Sequence, residues 1–218
     1  GPGLALKGEA MGLAVSLELP LVIVDIQRGG PSTGLPTKTE AADLMMAMYG
    51  RHGESPMPIV AARTPSDCFD TAIEAARIAL VHQTPVILLS DGYLANGSEP
   101  WRLPEVDDLP EIEVKYATEF NMVDKDGNDV FWPFLRGEDG NRPIALPGTP
   151  DLMHRLGGIE KEDGSGNVSY DPDNHEYMVR LRNDRIASIP VPDAELEEGS
   201  DGDADLLVVG WGSTWGAI

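Results

Sequence analysis

Within the first 103 residues, three apolar runs too short for helices alternate with stretches of helical period, and that alternation limits the possible folds more than any other feature. Residues 21–26 form the first run, through Leu21-Val22-Ile23-Val24; residues 58–62 form the second; residues 86–90 form the third, closed by Asp91-Gly92. Between them, residues 4–18 set Leu4, Met11 and Val15, with Leu19 beyond, roughly on one stripe. Residues 38–49 make a second helical stretch ending at Gly50. Ser66 or Asp67 caps a third that runs to about His82, with Phe69, Ile73, Ala76 and Leu80 three or four apart. Buried runs separated by helices predict an α/β fold, a parallel sheet with helices on both faces.

The first run opens directly into Gln27-Arg28-Gly29-Gly30-Pro31-Ser32-Thr33-Gly34-Leu35-Pro36-Thr37. In open α/β sheets, ligands bind in the loops at the carboxyl ends of strands. Arg28 offers a forked donor matched to a carboxylate or phosphate. The glycines let backbone approach a ligand closely. One cation and several hydroxyls therefore stand where a small anion would be held.

Residues 104–204 change character. Pro, Gly, Asp and Asn interrupt short apolar pieces, which predicts an irregular linker or arm with short hairpins that packs on a partner subunit or on the first domain. A turn is expected at residues 162–167, whose Asp/Asn pattern lacks the spacing and closing Glu of a calcium loop. A helix is expected over 173–189, given Met178, Leu181, Ile186 and Ile189. The acidic run 195–205 reads as a solvated linker. A new strand is expected at Leu206-Leu207-Val208-Val209-Gly210, followed by the turn Trp211-Gly212-Ser213-Thr214-Trp215. A βα unit that stops there, and a start inside a turn without Met, lead us to expect a chain truncated at both ends.

The net charge of −21 argues against nucleic acid or an anionic membrane as partner. No apolar run is long enough to span a bilayer, and the start lacks the pattern of a signal peptide, so a cytoplasmic location is expected. The one cysteine, Cys68, rules out an internal disulfide or an iron–sulfur cluster held by this chain alone, and reads as a small semi-buried side chain. His52, His82, His154 and His175 show no metal-site spacing; His82 suits a helix C-terminus and His175 a packing role. Glu9 reads as a solvated helical carboxylate, with a buried pairing to Arg28 or Lys7 as the alternative.

The Gly1-Pro2-Gly3-Leu4 turn into a helix, the 27–37 loop, Asp91-Gly92-Tyr93-Leu94, Asn174-His175 and Gly210-Trp211-Gly212-Ser213 together carry a resemblance that covers essentially the whole chain. The chain resembles the alpha subunit of the 2-oxoacid:ferredoxin oxidoreductases, most nearly the 2-oxoglutarate type, within the pyruvate flavodoxin/ferredoxin oxidoreductase superfamily. The resemblance implies a partial pyrimidine-binding domain of thiamine-diphosphate enzymes at 1–103, the arm at 104–204, and the start of a transketolase-C-terminal-like domain at 205–218. It implies oxidative decarboxylation of a 2-oxoacid, expected to be 2-oxoglutarate, to an acyl-CoA with reduction of ferredoxin. The expected partners are a beta subunit, ferredoxin through the complex, the 2-oxoacid and coenzyme A. Thiamine diphosphate would be shared with the beta subunit, which would hold Mg²⁺ and a [4Fe–4S] cluster.

By the same resemblance, Arg28 and Thr37 would bind substrate, and Gly1, Pro2, Gly3, Gln27, Ser32 and Thr33 would line the cofactor. The family's pyrimidine-contacting Glu would lie upstream of Gly1, so no catalytic residue and no metal ligand is expected here. Structural roles stand beside these. Arg28 could brace its loop through carbonyls. Thr37 could cap the 38–49 helix in a capping box with Glu40. Ser32 and Thr33 could be turn hydroxyls, and Gln27 could bond Arg28. Two other functions fit the Gly-Pro-Gly turn or the acidic arm: a non-redox thiamine enzyme of acetolactate-synthase type, and a non-catalytic assembly module.

Overall fold

The structure is a computed structural model that describes residues 1–194, 199 and 205–218. Its centre is a three-stranded parallel sheet of β1 (Leu21–Gln27), β2 (Ile59–Ala61) and β3 (Pro85–Asp91), in the order β1-β3-β2. β3 is buried along its whole length. It carries Val86-Ile87-Leu88-Leu89 without a break because both of its faces are covered. Each such side chain contributes about 1.5–3 kcal/mol by leaving water.

The two faces are packed by different helices. On one side, α1 (Pro2–Leu6), α2 (Gly8–Leu17) and α3 (Leu44–Tyr49) bring Leu4, Met11, Val15 and Ala47 against Ile87 and Leu89. On the other, α4 (Asp67–His82) brings Ala75, Ile78 and Ala79 against Val86 and Leu88. The short α5 (Gly92–Asn96) follows β3, capped by the Asp91 carboxylate, which accepts from Tyr93 N and Leu94 N at 2.7 and 3.2 Å.

Four expectations need correction. The helix expected over 38–49 begins only at Leu44, because residues 37–43 are tied along the loop by side chains. Thr37 is therefore no N-cap: its backbone is left-handed, φ 63°, and Glu40 bonds Gly30 N instead of closing a capping box. The strand expected at 206–210 is not paired, since no neighbouring strand among the described residues meets it, and Leu206 to Val209 stay exposed. The helix over 4–18 is also broken at Lys7 into α1 and α2.

The arm contains a two-stranded hairpin, β4 (Met122–Val123) with β5 (Asp129–Val130), and the helix α6 (Pro172–Ala187). The expected turn closes through Glu162 N to Asn167 O, 2.7 Å. The arm packs on the sheet domain. Gln83, at the end of α4, bonds both the amide and the carbonyl of Arg142, at 2.9 and 2.8 Å. Buried Glu18 pairs with Arg136, and Arg185 Nη2 lies 3.0 Å from Glu18 Oε2. Arg136, Arg142 and Lys161 all stand 5.3–5.5 Å from the ring centre of fully buried Phe134. Burial pulls the Lys161 ammonium and the Arg142 guanidinium below their ordinary values. The acidic run 195–205 lies outside the described residues except for Gly199 and Asp205. No helix among the described residues is long and apolar enough to cross a membrane.

Candidate active site

At the carboxyl end of β1 the chain enters a loop, residues 28–43, that closes on itself. Gly29 N donates to Lys38 O at 2.9 Å and Leu35 N to Gly29 O at 2.8 Å. Arg28 donates from Nε and Nη2 to Thr33 O, at 3.1 and 2.7 Å. Glu40 accepts from Gly30 N at 2.9 Å. Gly34 has φ 56°, and a Cβ there would stand 1.7 Å from Gly29 O, so only glycine fits.

The loop is fastened to the sheet by Gln27. This side chain is buried; its Nε2 donates to Ser90 O at 3.1 Å and its Oε1 accepts from Asp43 N at 2.9 Å. The loop and the α1 turn enclose a cavity of about 740 Å³. Gly1, Pro2, Gly3, Arg28, Ser32 and Thr33 line it, and so do Asp25, Glu40 and Asp43.

Six of the eight expected site residues therefore converge. Gln27 and Thr37 do not reach the cavity: Gln27 serves as a clamp beneath the loop, and Thr37 shapes the loop's return. The bracing role of Arg28 is realised through Thr33 O, yet its Nη1 has no partner among the described residues. Glu9 is exposed beside His52 at 3.8 Å, and His175 pairs with Glu160 at 2.6 Å.

Sequence reasoning missed the carboxylates. Asp25 is about one-tenth exposed, Oδ1 stands 3.8 Å from the Gly1 ammonium, and Oδ2 is buried without a hydrogen-bond partner. Asp43 pairs with the same ammonium. Burial pushes the Asp25 carboxyl up to about 6, opposed by the ammonium and reinforced by a hydrogen bond and repulsion from Asp43. The signal was available: a strand that alternates faces carries Asp25 and Gln27 inward on the side of Ile23, and inward polar residues at a strand's carboxyl end mark a site. No group of three or more His, Cys, Asp or Glu able to hold a metal ion occurs among the described residues.

Residues 1–140 match the family described as "Pyruvate flavodoxin/ferredoxin oxidoreductase, thiamine diP-bdg". The whole chain is 56% identical over 219 residues to the 2-oxoglutarate oxidoreductase subunit KorA of Mycobacterium tuberculosis, covering 32% of that protein. It is 34% identical over 226 residues to the alpha subunit of 2-oxoacid:ferredoxin oxidoreductase 1 of Sulfurisphaera tokodaii, covering all of this chain and 34% of that protein. Among solved structures, 2-oxoglutarate:ferredoxin oxidoreductase from Magnetococcus marinus, with 2-oxoglutarate, coenzyme A and succinyl-CoA bound, superposes with a TM-score of 0.87. That match has 39% identity and covers 99% of this chain and 36% of the other. The chain thus spans about a third of the length of these relatives.

Proposed function

Because the chain belongs to the thiamine-diphosphate-binding family of pyruvate flavodoxin/ferredoxin oxidoreductases, we propose that it forms the cofactor- and substrate-facing part of the alpha subunit of a 2-oxoacid:ferredoxin oxidoreductase acting on 2-oxoglutarate. The observation that carries this reading is the convergence of the Arg28 loop and the Gly1–Gly3 turn on one cavity at the carboxyl end of the sheet. The relatives named above are oxidoreductases of this type; none is a non-redox thiamine enzyme.

The cavity residues fit the pyrimidine end of thiamine diphosphate. Backbone at Gly3 leaves open space where a side chain would stand, and Asp25 presents a buried oxygen lacking a donor. When bound, the cofactor supplies a carbanion and an electron sink for decarboxylation of a 2-oxoacid. The chain's own residues hold and orient. Arg28 spends its Nε–Nη2 edge on Thr33 O and keeps the Nη1–Nη2 end for the oxoacid carboxylate. Ser32 and Thr33 supply hydroxyls on the same wall. Gln27 fixes the loop's height above the sheet, and Thr37 sets its return path. Residues 1–103 act as the pyrimidine-binding part, 104–204 as an arm braced on it, and 205–218 as the opening of a further domain. A beta subunit would supply Mg²⁺, the diphosphate site and the iron–sulfur cluster, and the complex would reduce ferredoxin in the cytoplasm using coenzyme A.

The test is CoA-dependent reduction of a viologen dye by the full-length alpha subunit assembled with its beta partner. Activity with 2-oxoglutarate exceeding that with pyruvate is expected. Arg28→Ala should lose about a hundredfold or more in kcat/KM with the complex intact, as expected for a charged contact to substrate. Absence of turnover with any 2-oxoacid, despite bound thiamine diphosphate, would overturn the reading.

A further inference from the structure

We propose that Ser213 is a positioning residue: its hydroxyl ties the turn 211–217 to Asp91, beside the attachment of the Gln27 clamp, so that the seating of this turn sets how well the Arg28 loop is ordered. The inference rests on the substrate role proposed above for that loop, and names a residue that acts on it from outside the cavity. Three observations carry it. First, Ser213 Oγ donates to Asp91 Oδ2, while Asp91 Oδ1 accepts from Tyr93 N and Leu94 N at 2.7 and 3.2 Å. Asp91 is 4% exposed, so losing the hydroxyl leaves a buried carboxylate oxygen without its donor. Second, Asp91 stands opposite Gln27 in the β1–β3 register, and its neighbour Ser90 accepts from Gln27 Nε2 at 3.1 Å. Two consecutive residues of β3 thus carry two attachments, Ser90 that of the loop and Asp91 that of the turn. Third, the turn lies across the carboxyl ends of β2 and β3. Gly212 is buried, and a Cβ built on it would lie 3.8 Å from Ala61 Cβ and 3.7 Å from Ala62 O. Trp211 packs against the core cluster of Leu4, Met11, Ile87 and Leu89, and Arg63 stands 5.2 Å from the ring centre of Trp215.

The turn is closed on itself as a unit. Trp211 N donates to Thr214 Oγ1 at 3.1 Å, and Thr214 Oγ1 donates to Trp211 O at 2.7 Å. Without the Ser213 bond, the α5 cap alone restrains the Asp91 carboxylate among the described residues. A looser end of β3 weakens the bond from Gln27 to Ser90 O, and Gln27 also fixes Asp43 N at the loop's return. Ordering the loop is then left to substrate binding, which raises KM. The order is regained in the bound ground state and in the transition state alike, so kcat changes little.

The experiment compares wild type, Ser213→Ala and Ser213→Thr in the full-length alpha subunit assembled with its beta partner. KM and kcat for 2-oxoglutarate are taken from the viologen assay. Hydrogen exchange of the substrate-free complex is read by mass spectrometry over the peptides that contain Asp43 and those that contain Tyr93 and Leu94. Ser213→Ala should raise KM about tenfold, the scale of one hydrogen bond to a charged group. Its kcat should stay within about twofold of wild type. The Asp43 amide should exchange about tenfold faster, as a local opening made easier by one such bond. Ser213→Thr keeps the hydroxyl and should restore both quantities.

An Asp43 amide that exchanges at the wild-type rate in Ser213→Ala, with only Tyr93 and Leu94 loosened, overturns the inference, since a local staple does that much. Should Ser213→Ala not assemble, exchange of the wild-type complex under rising denaturant decides. The Trp211 and Asp43 amides are expected to open together, and separate openings overturn the inference. A wild-type complex that turns over no 2-oxoacid overturns the substrate reading instead, and the Asp43 exchange then decides this inference alone.

Discussion

Gly34 shows how tightly single residues are specified here. Its φ of 56° and the 1.7 Å separation of a built Cβ from Gly29 O leave no room for a side chain. Gly34→Ala should therefore open the loop, free Arg28 from Thr33 O and cost at least about 1–2 kcal/mol for the left-handed backbone alone. Thermal unfolding of the variant checks the cost. Asp25 gives a pH-dependent test at the same scale. Its folded value of about 6 lies above the ordinary 3.8, so the folded state holds the proton more tightly than the unfolded chain does. The stabilisation it gives is complete below 3.8 and is lost as pH rises to about 6. The loss is about 3 kcal/mol, at 1.36 kcal/mol per unit. Denaturant midpoints of wild type minus those of Asp25→Asn, taken across that range, should fall in that direction. Arg28 was legible because a cation in a Gly/Pro loop after a buried run has few structural uses. Asp25 was missed although alternation along β1 sets it on one face with Ile23 and Gln27, because the apolar run Leu21-Val22-Ile23-Val24 hides which face of the strand is the covered one.

Among the elements, the strands and α4 followed from period and run length, since β3 needs apolar residues on both faces and α4 on one. The start of α3 did not. A propensity reading assigns 38–49 to helix, but the competing bonds are made by side chains distant in sequence. Gln27 accepts from Asp43 N, and Glu40 accepts from Gly30 N. The end of α2 and the arm are joined by Glu18, whose side chain is 4% exposed and faces Arg136 and Arg185. Glu18→Gln would leave buried Arg185 without its counter-charge and Arg136 with only the half-exposed Asp163, beside a cluster already rich in cations around Phe134. A loss of about 3–5 kcal/mol is expected. It should appear in denaturant unfolding as a separate early transition of the arm, while the sheet's transition stays near its wild-type midpoint.

For the molecule as a whole, the sheet order leaves β1 on an edge, with Val24 and Ile26 about half exposed. An unpaired strand with exposed apolar side chains is a template for association. The 218-residue chain on its own should self-associate, more so at high salt, where the repulsion of a −21 charge is screened. Lysine at both Val24 and Ile26 should suppress this in sedimentation velocity. The same exposure explains why a fully buried first strand was the natural reading of Leu21-Val22-Ile23-Val24: apolar composition reports what a strand can bury, not what this chain supplies to cover it.

The Gln27 clamp has a dynamic corollary. One amide holds β3 through Ser90 and the far end of the loop through Asp43, so that end of the loop cannot move without breaking into the sheet. Its amide protons should consequently divide into two populations on the timescale of solvent exchange. The Asp43 N–H should exchange only in the rare excursions that open the sheet itself. The N–H groups of Ser32 and Thr33, on the exposed tip, should exchange within the loop's own fast fluctuations. The site would then combine a ligand-facing rim that adapts in nanoseconds to microseconds with a base whose position lasts as long as the fold.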